Sequence, residues 1–286
     1  MTHMLKKLSY FNLILAVFII LWGAWVRLSG SGAGCGNHWP LCNGAVVPLE
    51  ASVKTLTEFI HRLTSGIFGI TVFWSWVLVF KKKTNFYSKS FSWTLVFTIT
   101  EALIGAVLVK KGLVEDNDSA MRAFVISLHL INTMGLLYFL TQNVFFVERM
   151  PKKFSVIQGR VVGIIFLFLL TGATGAIAAL GNTLFPETSL LSGIAKDFSS
   201  SSHFLINLRT FHPFFAAVLA VMTYLYASKL PNRYKRGLIL MIYISIGWGI
   251  INWFMLAPSW GALIHLLIAD IFFCYFVYVS LCQRIK

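Results

Sequence analysis

Eight apolar segments constrain this chain more than any other feature. They run 10–26, 59–80, 91–109, 123–147, 161–180, 205–226, 237–256 and 260–282. Each is close to the ~20 residues that cross the hydrocarbon of a bilayer. Strand-like alternation is absent from them, so helices are the spanning form that satisfies every backbone group within the segment. Of the 286 residues, 57% are hydrophobic and only 12% charged, which excludes an ordinary soluble domain. The expected fold is all-α, a polytopic membrane protein of eight transmembrane helices.

A net charge of +14 invites a nucleic-acid reading, but its distribution argues against one. Sixteen of the 24 Lys and Arg fall at the N-terminus, after the second, fourth and sixth segments, and at the C-terminus. Lys81, Lys82, Lys83, Lys152, Lys153, Arg233 and Arg236 are among them. This is one side of the membrane, and the positive-inside rule makes it the cytoplasm. We therefore expect a multi-pass protein of the cell membrane with both termini cytoplasmic, its charge set by topology and by attraction to the lipid bilayer, with no nucleic-acid partner. The first segment has no small-residue cleavage site after it and reads as an uncleaved first helix. The long loops 28–57, 110–122 and 181–203 then all lie outside. The chain divides into two four-helix halves, 1–150 and 151–286, expected to be pseudo-repeated bundles.

Four histidines carry the chemistry. His61, His129, His212 and His265 lie on the second, fourth, sixth and eighth segments, near the ends that alternation places at one membrane face. A single intramembrane histidine ordinarily makes an interhelical hydrogen bond. Four on alternate helices, at heights differing by about 10 Å or less, instead suggest two pairs of axial haem ligands, one pair per half. Zinc or copper is the competing reading and would need its ligands to converge on one ion. His3, in the cytoplasmic tail, reads as inert; His38 and His203, in outer loops, read as solvated, with contact to a haem edge as the alternative for either.

Haem carries two propionates, and arginines stand beside the histidines. Arg62 follows His61, Arg122 precedes His129 by seven residues, Arg209 precedes His212 by three, and Arg27 ends the first helix. Guanidinium forks match carboxylates; interfacial snorkelling is the alternative. Glu58 shares a helix face with His61 and reads either as a proton- or water-handling group or as a helix N-terminal carboxylate with Thr55 or Thr57 as cap. Glu101 and Asp270 fall mid-membrane, where a charged acid costs at least ~2.5–3.5 kcal/mol; each is expected to be neutral, hydrogen-bonded or facing a cavity. Cys35 and Cys42 flank six residues of the first outer loop, where an oxidising exterior favours a disulfide. Cys274 and Cys282, on one helix, are too far apart to bridge.

These residues together resemble the haem A synthase family. Gly34-Cys35-Gly36-Asn37-His38-Trp39-Pro40-Leu41-Cys42-Asn43-Gly44 is similar to its first outer-loop motif, and Glu58-Phe59-Ile60-His61-Arg62 to the signature opening helix 2. Ser119-Ala120-Met121-Arg122 with Leu128-His129-Leu130, Thr171-Gly172-Ala173-Thr174-Gly175-Ala176 with Ala179-Leu180-Gly181-Asn182-Thr183-Leu184-Phe185-Pro186, Arg209-Thr210-Phe211-His212-Pro213 and Leu263-Ile264-His265 extend the resemblance over nearly the whole chain. It implies an oxidoreductase that converts haem O to haem A for terminal oxidases. Two successive hydroxylations of the C8 methyl give a diol that loses water to leave a formyl group. It further implies that His61 and His129 hold the substrate haem, that His212 and His265 hold haem b, and that Glu58 is catalytic. Contacts with haem O synthase and with terminal oxidase assembly would follow. Two departures stand out: Glu101 replaces a glutamine common in the family, and the second half has no outer cysteine pair. A non-catalytic di-haem electron carrier and a haem transporter are the rival readings.

Overall fold

The computed structural model describes residues 2–49, 51–80, 85–149, 155 and 157–284. Among them are ten helices and one isolated bridge, Cys42 to Ala45. The helices are α1 (Thr2–Leu28), α2 (Val53–Phe80), α3 (Asn85–Lys110), α4 (Ala120–Arg149), α5 (Gly159–Leu184), α6 (Leu190–Asp197), α7 (Phe204–Leu208), α8 (Phe211–Ala227), α9 (Asn232–Phe254) and α10 (Ser259–Cys282). Eight spans are long and apolar enough to cross a membrane, with α7 and α8 sharing one of them, Phe204–Ala227. The all-helical, eight-span expectation holds.

Two helix ends depart from the apolar pattern for identifiable reasons. α2 starts at Val53, six residues before its apolar segment, because the Ser52 hydroxyl accepts from the Thr55 N–H at 3.2 Å and satisfies an orphan donor of the first turn. The cap is thus Ser52, not Thr55 or Thr57, and Glu58 lies in the second turn. The sixth span breaks at Arg209 and Thr210. Pro213 is the cause: its ring would clash with the carbonyl four residues back, that of Arg209, whereas a first-turn position in α8 suits it. The His203 Nδ1 accepts from the Leu205 N–H at 3.3 Å and caps α7.

The chain forms two compact units. The first comprises α1, α2, α3 and most of α4; the second comprises α5 to α10 together with residues 126–131 of α4. In lipid there is no hydrophobic drive between helices, so close approach and interhelical hydrogen bonds hold them together. In the first unit Asn12 donates to Ser75 at 3.0 Å, Trp76 to Ser92 at 2.9 Å and Ser90 to Asn143 at 2.6 Å. A Cβ at Gly135 would stand 2.3 Å from the Phe97 ring, so only glycine admits that ring to α4. In the second unit α5 packs on α8, α8 on α9, α9 on α10, and α10 returns to α5. Phe168 plugs this bundle, its ring 5.1–5.3 Å from those of Phe272, Phe273 and Phe276.

Candidate functional site

In the second unit the structure brings His212 of α8 and His265 of α10 together, their ring centres 6.1 Å apart and the rings near perpendicular at 87°. An iron bound by two imidazoles at about 2 Å each spaces ring centres by roughly 6 Å. His212 Nδ1 lies 3.0 Å from the Thr171 carbonyl. A carbonyl can only accept, so Nδ1 carries the proton and Nε2 keeps its lone pair for a metal. Glycines make room for both rings. A Cβ at Gly175 would sit 3.0 Å from His212 Cε1, and one at Gly249 would sit 3.1 Å from His265 Cε1. The residues present therefore fit a bis-histidine haem. Among the described residues no three His, Cys, Asp or Glu converge as metal ligands, so the tetrahedral zinc reading lacks its donor set.

In the first unit His61 occupies the same kind of cradle. A Cβ at Gly23 of α1 would stand 2.8 Å from His61 Cε1. His61 lies eight residues into α2, His129 nine into α4, His212 eight from the start of α7 and His265 six into α10. Along their own spans the four thus lie six to nine residues from one end. His129 belongs with residues 126–131 to the second unit.

Glu58 is buried, at 3% exposure, and fully engaged. One carboxylate oxygen accepts the Cys35 N–H at 2.8 Å; the other accepts from Arg62 Nη2 at 2.6 Å and Nε at 3.1 Å. Arg62 also donates to the Leu41 carbonyl at 2.6 Å. Cys35 and Cys42 are disulfide-bonded as expected, so the bridged loop, Glu58 and Arg62 form one clamp at the start of α2. Cys274 and Cys282 carry no disulfide.

The arginines fare differently. Arg209, at the break between α7 and α8, turns away to the 185–200 segment. It is ion-paired with Asp197, bonds Glu187 at 3.3 Å and donates to Asn182 at 3.0 Å. Burial alone would raise the Glu187 carboxyl, but the hydrogen bonds and charges of Lys196 and Arg209 outweigh it and hold it below its ordinary value. Arg122 is buried; its Nη1 donates to the Glu115 carbonyl and, at 2.7 Å, to that of Asn117. Arg27 is half-buried and within the electrostatic reach of Arg122. His203, expected to be solvated, is half-buried and packs its ring 4.8 Å from Phe185 and 4.5 Å from Phe204. Glu101 is hydrogen-bonded by Asn132 and Thr133, three and four residues past His129. Asp270 is buried, with one oxygen lacking a partner among the described residues.

Sequence reasoning misses Gly23 and Gly249 and the carboxylates around Arg209. Gly175 and Thr171 stood within a quoted motif, without a role. The only available signal for the glycines was their presence inside long apolar helices, where glycine is disfavoured unless something approaches closely.

The family model described as Cytochrome oxidase assembly protein matches residues 6–277. The chain is 36% identical over 279 residues to a protein of Thermus thermophilus named Protoheme IX farnesyltransferase, covering 92% of this chain and 46% of that one. It is 32% identical over 186 residues to the Heme A synthase of Bacillus licheniformis, covering 62% and 59%. It is 39% identical over 114 residues to the Heme A synthase of Bacillus cereus, covering 39% and 37%. The chain thus spans about half the length of the curated relatives it matches.

Proposed function

The chain belongs to the cytochrome oxidase assembly protein family, and on that premise we propose that it is a haem A synthase. In this reading it is a membrane oxidoreductase that converts the C8 methyl of haem O to a formyl group by two successive hydroxylations. The observation that supports it most is the His212–His265 pair, spaced 6.1 Å and backed by glycine, with the His212 proton fixed away from the metal-binding nitrogen. His212 and His265 would hold haem b as resident cofactor; His61 and His129 would hold the substrate haem. Haem b, when bound, supplies a one-electron relay.

The chain's own residues do the rest. Thr171 orients the His212 imidazole through its Nδ1–H. Gly23 lets α1 close on His61 without displacing its ring. Glu58 is held by Cys35 and Arg62 one turn from His61, where it can take a proton from water or substrate. Two axial histidines leave the substrate iron no open position, so water is the oxygen source in this reading. Each hydroxylation by water then releases two protons and two electrons from substrate and water together, so the reaction as proposed requires an external electron acceptor. Formation of the hydroxymethyl intermediate in labelled water without incorporation of label contradicts it.

The Thermus relative's named activity is not carried over, since the match covers less than half of that protein. We place the chain in the cell membrane with both termini cytoplasmic, on the asymmetry of its Lys and Arg, and in contact with haem O synthase and terminal oxidase assembly. The test is chromatography and mass analysis of haems from protein expressed with and without a haem O supply. Haem B alone without it, joined by hydroxylated haem O and haem A with it, is expected. Haem B only under both conditions, in folded protein, would replace the synthase by an electron carrier.

A further inference from the structure

We infer that Arg27 and Arg122 together receive the propionate carboxylates of the substrate haem, whereas Arg62 and Arg209 are structural cations. The inference rests on the haem reading of His61 above. The four arginines differ in what neutralises them. Arg62 is paired with Glu58 at 2.6 Å, and Arg209 with Asp197 and Glu187. Neither has charge to spare for a ligand. Arg122 is only 2% exposed, and its Nη1 is satisfied by two neutral carbonyls. Its Nε is buried with no partner. The carboxylate whose charge reaches it is that of Asp116, which is exposed. The group acting on Arg27 is Arg122 itself.

Arg122 is thus a buried cation and Arg27 a half-buried one within its electrostatic reach, with no ion pair for either among the described residues. Buried charge left this way is strongly unfavourable unless an anion joins it. The position identifies the anion. Arg27 is four residues past Gly23, on the same face of α1, and Gly23 is the residue against which the His61 ring lies. The place of Arg27 on α1 is therefore one turn, about 6 Å, beyond Gly23 towards the α1–α2 loop. Arg122 stands two turns beyond His129 on α4, towards the α3–α4 loop. A planar ligand held at His61 with paired carboxylates at its loop-side edge meets both forks, each suited to bidentate carboxylate binding.

Titration of the full-length detergent-solubilised protein with ferric protohaem and with its dimethyl ester tests this, followed by absorbance. The step that disappears in His61→Ala defines the site. The diacid is expected to bind that site more tightly than the ester. Arg27→Gln and Arg122→Gln are each expected to weaken the diacid roughly ten- to a hundred-fold and to leave the ester nearly unchanged. The retained ester affinity shows that the site is folded. Equal weakening of both ligands, or an undiminished diacid preference in both variants, overturns the inference. So does loss of bound phosphatidylglycerol with the diacid preference intact, which reassigns the pair to a lipid headgroup. Absence of any His61-dependent step in the unmodified protein instead removes the haem reading of His61 itself.

Discussion

Gly23, Gly175 and Gly249 set how closely a neighbouring helix approaches each histidine ring, and their side of the contact has no slack. At Gly175 a methyl group would press on the His212 ring at 3.0 Å, close enough to force the ring or the helix to shift. Gly175→Ala is expected to cost about 1–3 kcal/mol in overpacking, read as weaker retention of haem on purification. Gly175→Leu should abolish the reduced-haem absorbance of the second half in protein that still folds; unchanged absorbance in the leucine variant would mean that the ring does not need its present place. Glu58 poses a different question, because it is both a candidate proton carrier and the anchor of the disulfide loop. Glu58→Gln keeps an acceptor for the Cys35 N–H but loses the charge that holds Arg62. Haem content should persist while conversion of haem O falls tenfold or more, within the range of a lost general base. Normal turnover would leave Glu58 only its structural role.

At the level of elements, the break between α7 and α8 directs Arg209 into the ion network of the preceding segment. Arg209→Gln leaves Glu187 and Asp197 facing one cation, Lys196. Because these groups are not fully buried, a loss of roughly 1–3 kcal/mol is expected, less than for a fully buried pair. The network also sets an acid limit. The folded state favours ionised Glu187, so its contribution is fully present above the unfolded carboxyl value of about 4.3 and is lost as pH falls below it. The midpoint of thermal unfolding should therefore separate the unmodified protein from Glu187→Gln at neutral pH and converge at acid pH; a constant gap would exclude the ion network as its cause. None of this was legible in the chain. Arg209 pairs with residues 12 and 22 positions away, and loop contacts of that span leave no periodic trace. The eight spans were legible because a bilayer imposes length and apolarity on every one of them. The histidines stood out against that background, and the bridged cysteines by their place in an outer loop. What each glycine faces depends on how helices rotate against one another, which hydropathy does not encode. The α7–α8 break did have a sequence signal in Pro213, overlooked because the apolar run continues across it.

For the molecule as a whole, the proposed haem A synthase reading would have the two halves hold haem on different terms. In the second unit the histidine pair is cradled by glycines, and the nearby cation, Arg209, is neutralised within the protein. In the first, His61 has its own glycine, Glu58 is ion-paired with Arg62, and Arg27 and Arg122 form no ion pair among the described residues. A ligand held mainly by axial bonds and shape suits a resident group. A ligand held through charges near the loops suits one that must arrive and leave, since such contacts also steer encounter. The consequence is separability. In protein expressed without a haem O supply, His212→Ala and His265→Ala should each remove the bound haem B, whereas His61→Ala should leave it in place with the same absorption maximum. With the supply restored, His61→Ala should still hold haem B but contain neither hydroxylated haem O nor haem A. Loss of all haem from His61→Ala in folded protein would show instead that the two sites are filled cooperatively, and the division into a resident and a transient haem would have to be abandoned.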